Sequence, residues 1–577
     1  MRYAITSFRG EAPAVHDRAL PDNFAVLAEN ASFTTGILEP INTAATVATL
    51  IADAKTIFQF DGQWLSWATD VDAARAPVAA SRLYYTGDGA PKVRQGATVY
   101  PLALPAPVSA PAVSNLSAPD PATLESCAFV YTHVTTLGEE SPPSPVSSLL
   151  DTSPGVLVRI DGFAAVPTGR GIVSRRIYRS VTSASGATGF YFVAEIAVAV
   201  TSFDHDIMVL PLGEALASSD YDPPPDTMIG LTSLPNGMMA AFSGKDVYFC
   251  EPWRPHAWPE KYVLTMDHPV VGLCAFGSYL AVLTSGNPYI IQGTHPDSMA
   301  TEKLDDSVPC LSRAGIVDIG MAALFPSTEG LMQISPNGIQ NLTRSVFTRR
   351  QWQGFSPESI AAERRGANYL FLRTVNAYTS YFGGDATGWL STPDTLDAGG
   401  AVWPIIAPGL DPVSVPMLVG GAAGSAFGEQ QLGEIVQDGN AVYFVRSTVA
   451  APLSIHNDPL SGDVFMLGQD KRSILRWDDS SSSVATARWR TKRLTTPFPV
   501  SFSVLLVKTD RPLVGGDSFA VRVFANGSLA GTITRANVPC RLHARLAEEW
   551  EIEIESSIPV VAVTIAQSVN EAMGAAA

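Results

Sequence analysis

Four stretches of this chain carry residue types and spacings that could support chemistry. The first is Gly237 with Gly244-Lys245-Asp246, which has the glycines and lysine of a phosphate-binding loop. Such a loop needs about four residues between its glycines and a Ser or Thr after the lysine to hold Mg²⁺. Here the glycines are further apart and Asp246 stands at the metal position, so the stretch reads as a hairpin turn. The second, Asp204-His205-Asp206, offers oxygen and nitrogen ligands. Adjacent residues of a strand point to opposite faces and cannot easily converge, so this reads as a polar strand end. The third interleaves Trp253, His256 and Trp258 with Pro252, Pro255 and Pro259. An aromatic-proline loop of this kind can stack on sugars or dock on a partner, or simply pack over a core. The fourth is a set of basic clusters at Arg349-Arg350, Arg364-Arg365 and "RWRTKR" from Arg488 to Arg493, which could face nucleic acid or lie at ordinary exposed strand ends.

Catalysis has no positive signal. H-E-x-x-H and G-x-S-x-G arrangements are absent, the histidines are otherwise isolated, and the repeated S-x-D-x-G-x-T-W box of sialidase-type propellers does not occur. No catalytic, cofactor-binding or metal residue is assigned, and the chain is expected not to be an enzyme and to need no cofactor.

The surrounding elements are read as β. The 577 residues exceed one small core, and 46 glycines with 43 prolines suit many short strands and turns better than helices. From Leu231 to Val375 four apolar segment pairs are each hinged on a glycine: "MMAAFSGKDVYFCEPW" at Gly244, "LCAFGSYLAVLTS" at Gly277, "MAALFPSTEGLMQIS" at Gly330 and "IAAERRGANYLFLRT" at Gly366. Each predicts strand, tight turn, strand, with the glycine supplying a positive φ. Four loosely similar hairpins in a row predict the blades of a degenerate β-propeller.

In chain order, residues 1–40 predict an extended arm lying on other parts of the fold or on a neighbouring subunit. Residues 41–103 hold first propeller strands, including "TIFQFDGQWLSW" with Asp61-Gly62 at its turn, and then "SRLYYTGDGAPKV". The Pro-, Ala- and Ser-rich "LALPAPVSAPAVSNLSAPDPAT" opens an inserted module over 104–226, a β-sandwich of fibronectin III-like character closed by Pro223-Pro224-Pro225. The main propeller is expected over 227–485, with an irregular insertion around 376–433 and a further turn at Asp438-Gly439-Asn440. A C-terminal β-domain is expected over 486–577. Within it, Trp550, Ile552 and Ile554 alternate with Glu551, Glu553 and Glu555, as in a strand with one wet face.

The formal charge of −17 argues against a general nucleic-acid binder, which needs a basic surface to displace counterions. Cys127, Cys250, Cys274, Cys310 and Cys540 are scattered with no C-x-x-C pair, which suits buried free thiols better than a disulfide frame or zinc site. The opening residues show no secretory h-region, and no apolar run approaches the ~18–20 residues of a membrane span.

In order along the chain, "SFRGEAPAVHDRALPDNFAVLAENASFTTGILEP", "YTHVTTLGEESPPSP", "RRIYRS", "SGKDVYFCEPWRPHAWP", "ARWRTKRL" and "EEWEIEIE" resemble the tail nozzle (tail tubular, or hub) proteins of short-tailed bacteriophages. The resemblance spans most of the chain. It implies a structural virion protein built around a β-propeller platform, in which a homohexameric ring forms the distal tail tube, docks on an adaptor protein and lets the genome out. It further implies synthesis in the bacterial host cytoplasm and residence in the virion tail. Tail fibres or spikes and a host surface at the tip are further expected partners, with genomic DNA crossing the lumen without sequence-specific contact. An acidic lumen would repel phosphates and avoid trapping the genome. The alternative is a carbohydrate-binding or carbohydrate-cleaving propeller that recognises a host surface.

Overall fold

The computed structural model describes the chain except for residues 76, 80, 183–187, 210–211, 376–428, 439–440, 450–451, 459–460 and 575–577. The irregular insertion expected at 376–433 therefore lies almost wholly outside the described residues, as do Gly439 and Asn440. The described chain is mostly β. Its two α-helices, Arg349–Gln353 and Val569–Met573, have five residues each.

Sequence-local hairpins build the propeller. Its blades are antiparallel sheets whose innermost strands follow one another around one cavity. Blade one is the hairpin Thr56–Phe60 and Gln63–Trp67, turned by Asp61 (φ 48°) and Gly62 (φ 72°). Blade two has four strands: Asp72–Arg75, Arg82–Thr86, Lys92–Gln95 and Thr98–Pro101. Blades three, four and five run over Ile229–Thr265, Val270–Lys303 and Val317–Asn341, each as four strands in chain order. Blade six joins Ala361–Arg365, Asn368–Val375, Glu429–Asp438 and Ala441–Arg446. Blade seven takes three strands from Ser454–Asn457, Val464–Leu467 and Ser473–Arg476, and its outermost strand, Ala45–Thr49, from the other end of the chain. That exchange closes the ring by hydrogen-bonding residues more than 400 positions apart.

All four glycine-hinged hairpins form, but at different places in their blades. Gly244 turns the second strand of blade three into the third, and Gly277 the first strand of blade four into the second. Gly330 opens the third strand of blade five, and Gly366 turns the first strand of blade six. The irregular spacing of the hinges follows from this alternation. Gly244, Gly277 and Gly366 have φ between 54° and 62°, where a side chain would be strained.

Between blades two and three the chain leaves the ring to form a sandwich. One sheet contains Ala112–Asn115, Leu157–Asp161 and Phe203–Asp206, and the other Phe129–Thr135, Ile172–Thr182 and Thr188–Ala197. Phe129, Tyr131 and Ile177 of one sheet pack on Val158 and Ile160 of the other.

The C-terminal strands form a second β-domain, and the N-terminal arm is woven into it. Arg2–Ile5 pairs with Val560–Ala566, and Ala25–Glu29 pairs with Ala487–Thr491. Ala25–Glu29 also meets the outer strand of blade six at Glu29 and Arg446, which fuses that blade with the C-terminal domain into one ten-stranded sheet. Between these strands Gly10 presses against the main chain of blade six. A Cβ there would stand 2.3 Å from the Phe444 carbonyl oxygen and 2.7 Å from the Tyr443 ring. Backbone cannot yield as a flexible side chain can. Gly10→Ala is therefore expected to cost about 1–3 kcal/mol, read as a lower urea midpoint with an unchanged slope.

Candidate functional site

The propeller encloses a concavity of about 1440 Å³. Inner strands of all seven blades contribute to its wall. The charges there are balanced: Lys55, Arg75, Arg313 and Arg364 face Asp70, Asp72, Asp318 and Glu363. Most are already engaged. Lys55 pairs with Asp70 at 2.6 Å, Arg313 with Asp72 at 3.2 Å, and Arg75 with Asp458 at 3.6 Å. Arg75 also lies over the rings of Phe58 and Phe60. Burial raises Asp72 even though Arg313 and the Gly230 N–H oppose it. Glu363 has no guanidinium or ammonium partner among the described residues. Burial pushes its carboxyl up to about 7, against main-chain N–H groups of Asn457 and Arg364 that favour the charged form. His456 is held neutral, its pKa lowered to about 4 mainly by burial, with its ring 5.0 Å from that of Phe58. The wall thus holds two carboxyls that burial raises, Asp72 and Glu363, and among the described residues no group of three His, Cys, Asp or Glu could hold a metal.

The stretches singled out from the sequence fall elsewhere and are not brought together. Gly244-Lys245 turns a blade-three hairpin, with Lys245 Nζ donating to the Asp267 carbonyl at 2.7 Å. In Phe203–Asp206 the faces alternate as expected. Asp204 points outward to Arg159 at 2.9 Å, while His205 turns inward to Arg179 Nη1 at 3.2 Å.

The aromatic-proline loop is a docking element. His256 and Trp258 are each 2% exposed, and only Trp253 stands out, at 53%. Trp253 has φ 61° and covers Gly237, where a Cβ would lie 2.3 Å from its ring. His256 Nε2 lies 3.0 Å from the Glu140 carbonyl, and its ring meets Tyr221 edge-on. Beneath it is a buried polar cluster between sandwich and propeller. Arg170 Nη2 donates to Glu139 at 2.5 Å and to the Leu102 carbonyl at 3.2 Å, and Arg82 lies 3.8 Å from Glu139. Burial lowers His256 to about 4, so it sits neutral beside Glu139.

The basic clusters are paired. Arg349 meets Glu329 at 3.0 Å, and Arg365 binds both Glu434 and Asp478. "RWRTKR" and the glutamates of "EEWEIEIE" form one cross-strand ladder. Arg488 reaches Glu29 at 3.1 Å and Glu555 at 3.2 Å, Arg490 and Arg493 hold Glu551, and Arg522 holds Glu553 and Glu555. Glu551 and Glu553 are only 6% and 7% exposed, so the face expected to be wet is largely covered by guanidinium groups. All five cysteines are buried free thiols.

Glu11 of the arm, 1% exposed, has no counterpart among the sequence candidates. It accepts the Ala28 N–H at 2.9 Å and Arg446 Nη2 at 2.9 Å. Burial outweighs both and raises the carboxyl from 4.5 to about 7. Across that window the folded protein keeps a proton that the unfolded chain has released, so stability falls as pH rises through it. Glu363 acts in the same direction. Glu11→Gln is expected to remove on the order of 2 kcal/mol of that pH dependence. Urea unfolding at mildly acidic and mildly alkaline pH measures it, and an unchanged slope with pH would refute the assignment.

No family model matches the chain, and no curated protein matches it. Several solved structures align weakly. One is a chain of the S. cerevisiae complex of Dbp5 with Nup159, Gle1, IP6 and ADP, at 11% identity and TM-score 0.20, covering 58% of this chain and 91% of that one. Another is the extracellular domain of a one-component system from B. thetaiotaomicron, at 9% identity and TM-score 0.20, covering 87% of this chain and 47% of that one. A third is PorZ of the Porphyromonas gingivalis type-IX secretion system, at 9% identity and TM-score 0.19, covering 85% and 53%. Likenesses this weak carry no weight for function. No helix of the described residues is long and apolar enough to cross a membrane.

Proposed function

We propose that this chain is a structural virion protein, the subunit of the distal nozzle of a short bacteriophage tail. In this reading a homohexameric ring docks on an adaptor ring and encloses the path by which the genome leaves. What supports it is the place of the motifs that carry the family resemblance. They are fasteners between parts of the molecule. "SFRGEAP" seats Phe8 on Trp489 and Glu11 on Arg446. "THVTTLGEE" supplies Glu139, and "WRPHAWP" supplies the His256 that packs beside it. "ARWRTKRL" and "EEWEIEIE" clasp each other in the arginine–glutamate ladder. A residue pattern spent on joining pieces suits a component that must stay rigid outside a cell, and the protected sheet edges of a propeller serve the same end.

The decisive experiment is electron microscopy of particles from the source, labelled with gold-conjugated antibody against this chain. Label confined to the far end of a short tail is the expected result, and particles without label would refute the reading. One observation favours the carbohydrate alternative, namely Glu363, its carboxyl raised by burial, at the wall of a roomy cavity. Hydrolysis or glycan-array binding lost in Glu363→Gln would support that alternative.

A further inference from the structure

Among the described residues blade one has two strands where its six companions have four. Its two-residue turn makes Phe60 and Gln63 a hydrogen-bonded pair, so Phe58 with Leu65 and Thr56 with Trp67 are bonded pairs too. The main-chain N–H and C=O groups of Trp64 and Ser66 therefore point away from the partner strand. Among the described residues nothing pairs with them, and Ser66 is exposed.

This edge is recessed. Trp64 packs on Phe465 of blade seven, and Trp67 on Tyr85 of blade two. Both neighbours extend two strands further outward, and among the described residues no strand fills the place of a third and fourth strand of blade one, the slot between them. The wall on blade two can be read from register. Arg75, Leu83, Arg94 and Val99 stand opposite one another across its four strands and share a face. Arg75 lies on Phe58 and Phe60, so that face looks toward blade one. Its outer members are Val99, 40% exposed, and Arg94, which has no carboxylate partner among the described residues. The other face of these strands, with Tyr84, Val93 and Tyr100, packs against blade three.

We propose that this slot takes an extended peptide segment of another protein, added as a third strand along Gln63–Trp67. Main-chain hydrogen bonds to Trp64 and Ser66 would hold it, as in strand addition at other sheet edges. A carboxylate of the segment would meet Arg94, and an apolar side chain would cover Val99. An edge set back between two four-stranded blades admits an extended segment and excludes a folded body.

The purified full chain suffices for the test, which makes it independent of where the protein resides. The probe is a fluorescein-labelled peptide of alternating Val and Thr with one central Glu, compared with the same peptide carrying Lys there. The Glu peptide is expected to bind at least about tenfold more tightly. Ser66→Pro removes an outward N–H without touching the bonds to Thr56–Phe60, because proline is tolerated at a sheet edge. It is expected to abolish binding, with folding checked by near-ultraviolet circular dichroism. Arg94→Glu is expected to reverse the preference between the peptides, and carries the test alone should Ser66→Pro fail to fold. Absence of binding by the Glu peptide would overturn the proposal, and so would binding that survives Ser66→Pro. Self-association of the free chain that Ser66→Pro dissolves would give the slot to a second copy and equally overturn the assignment to another protein.

Discussion

Arg170→Met is expected to lower the unfolding free energy by roughly 3–5 kcal/mol, because it strands a carboxylate in the interior. Arg170 is 2% exposed and Glu139 4%. The guanidinium satisfies Glu139 at 2.5 Å and the carbonyls of Leu102 and Ala103 at 3.2 Å each. Without it Glu139 keeps only Arg82, at 3.8 Å, and a His256 that burial leaves neutral. Two carbonyls lose their donor as well, each adding part of a buried hydrogen bond's cost. Urea unfolding followed by both tryptophan fluorescence and circular dichroism measures the loss. The double variant Glu139→Gln with Arg170→Met removes both charges and is expected to recover much of it. A single-variant loss below about 1 kcal/mol would mean that water reaches the cluster and screens it. The cluster also fixes the sandwich on the propeller, so Arg170→Met is expected to quicken proteolysis in the linkers around Pro105 and Pro223.

What could be read from the sequence was whatever is settled within a hairpin. A glycine between two apolar runs announces its own turn, and Gly244, Gly277 and Gly366 do so through positive φ. Long-range pairing leaves no such mark. Ala45–Thr49 reads as a short polar-apolar run, and nothing local says that its partner is Ser473–Arg476. The arginine–glutamate ladder shows the limit most clearly. Alternation in "EWEIEIE" correctly separates an apolar face, with Trp550 and Ile554 fully buried, from a charged one. It cannot say that Arg488 and Arg490 arrive on the neighbouring strand to cover that charged face. The glutamates therefore read as wet and the arginines as available, when each is the partner of the other. The aromatic-proline loop divides in the same way, since residue type alone cannot tell the buried His256 and Trp258 from the exposed Trp253.

Trp489→Ala is expected to cost about 3–5 kcal/mol, the range for emptying a buried aromatic site. It should also release the N-terminal arm. Trp489 is fully buried in Ala487–Thr491, the strand between the arm and the C-terminal sheet. Its ring takes Phe8 edge-on at 4.9 Å, and its Nε1 donates to the Arg9 carbonyl at 2.9 Å. One side chain thus holds the arm by packing and by a hydrogen bond, next to the place where Gly10 touches blade six. Phe8→Ala removes only the packing, and is expected to cost somewhat less. The two losses should fall short of additive by about 0.5–1.5 kcal/mol in a double-mutant cycle, the coupling of an aromatic pair in contact. Limited trypsin digestion adds a local reading, because Arg9 and Arg18 lie in the arm. Cleavage there should rise in Trp489→Ala before global unfolding sets in, since the freed segment opens at lower cost than the core. Simultaneous onset of arm cleavage and global unfolding would show instead that arm, blade six and C-terminal domain open as one unit. The continuous ten-stranded sheet makes that the competing outcome, and the digestion time course separates the two.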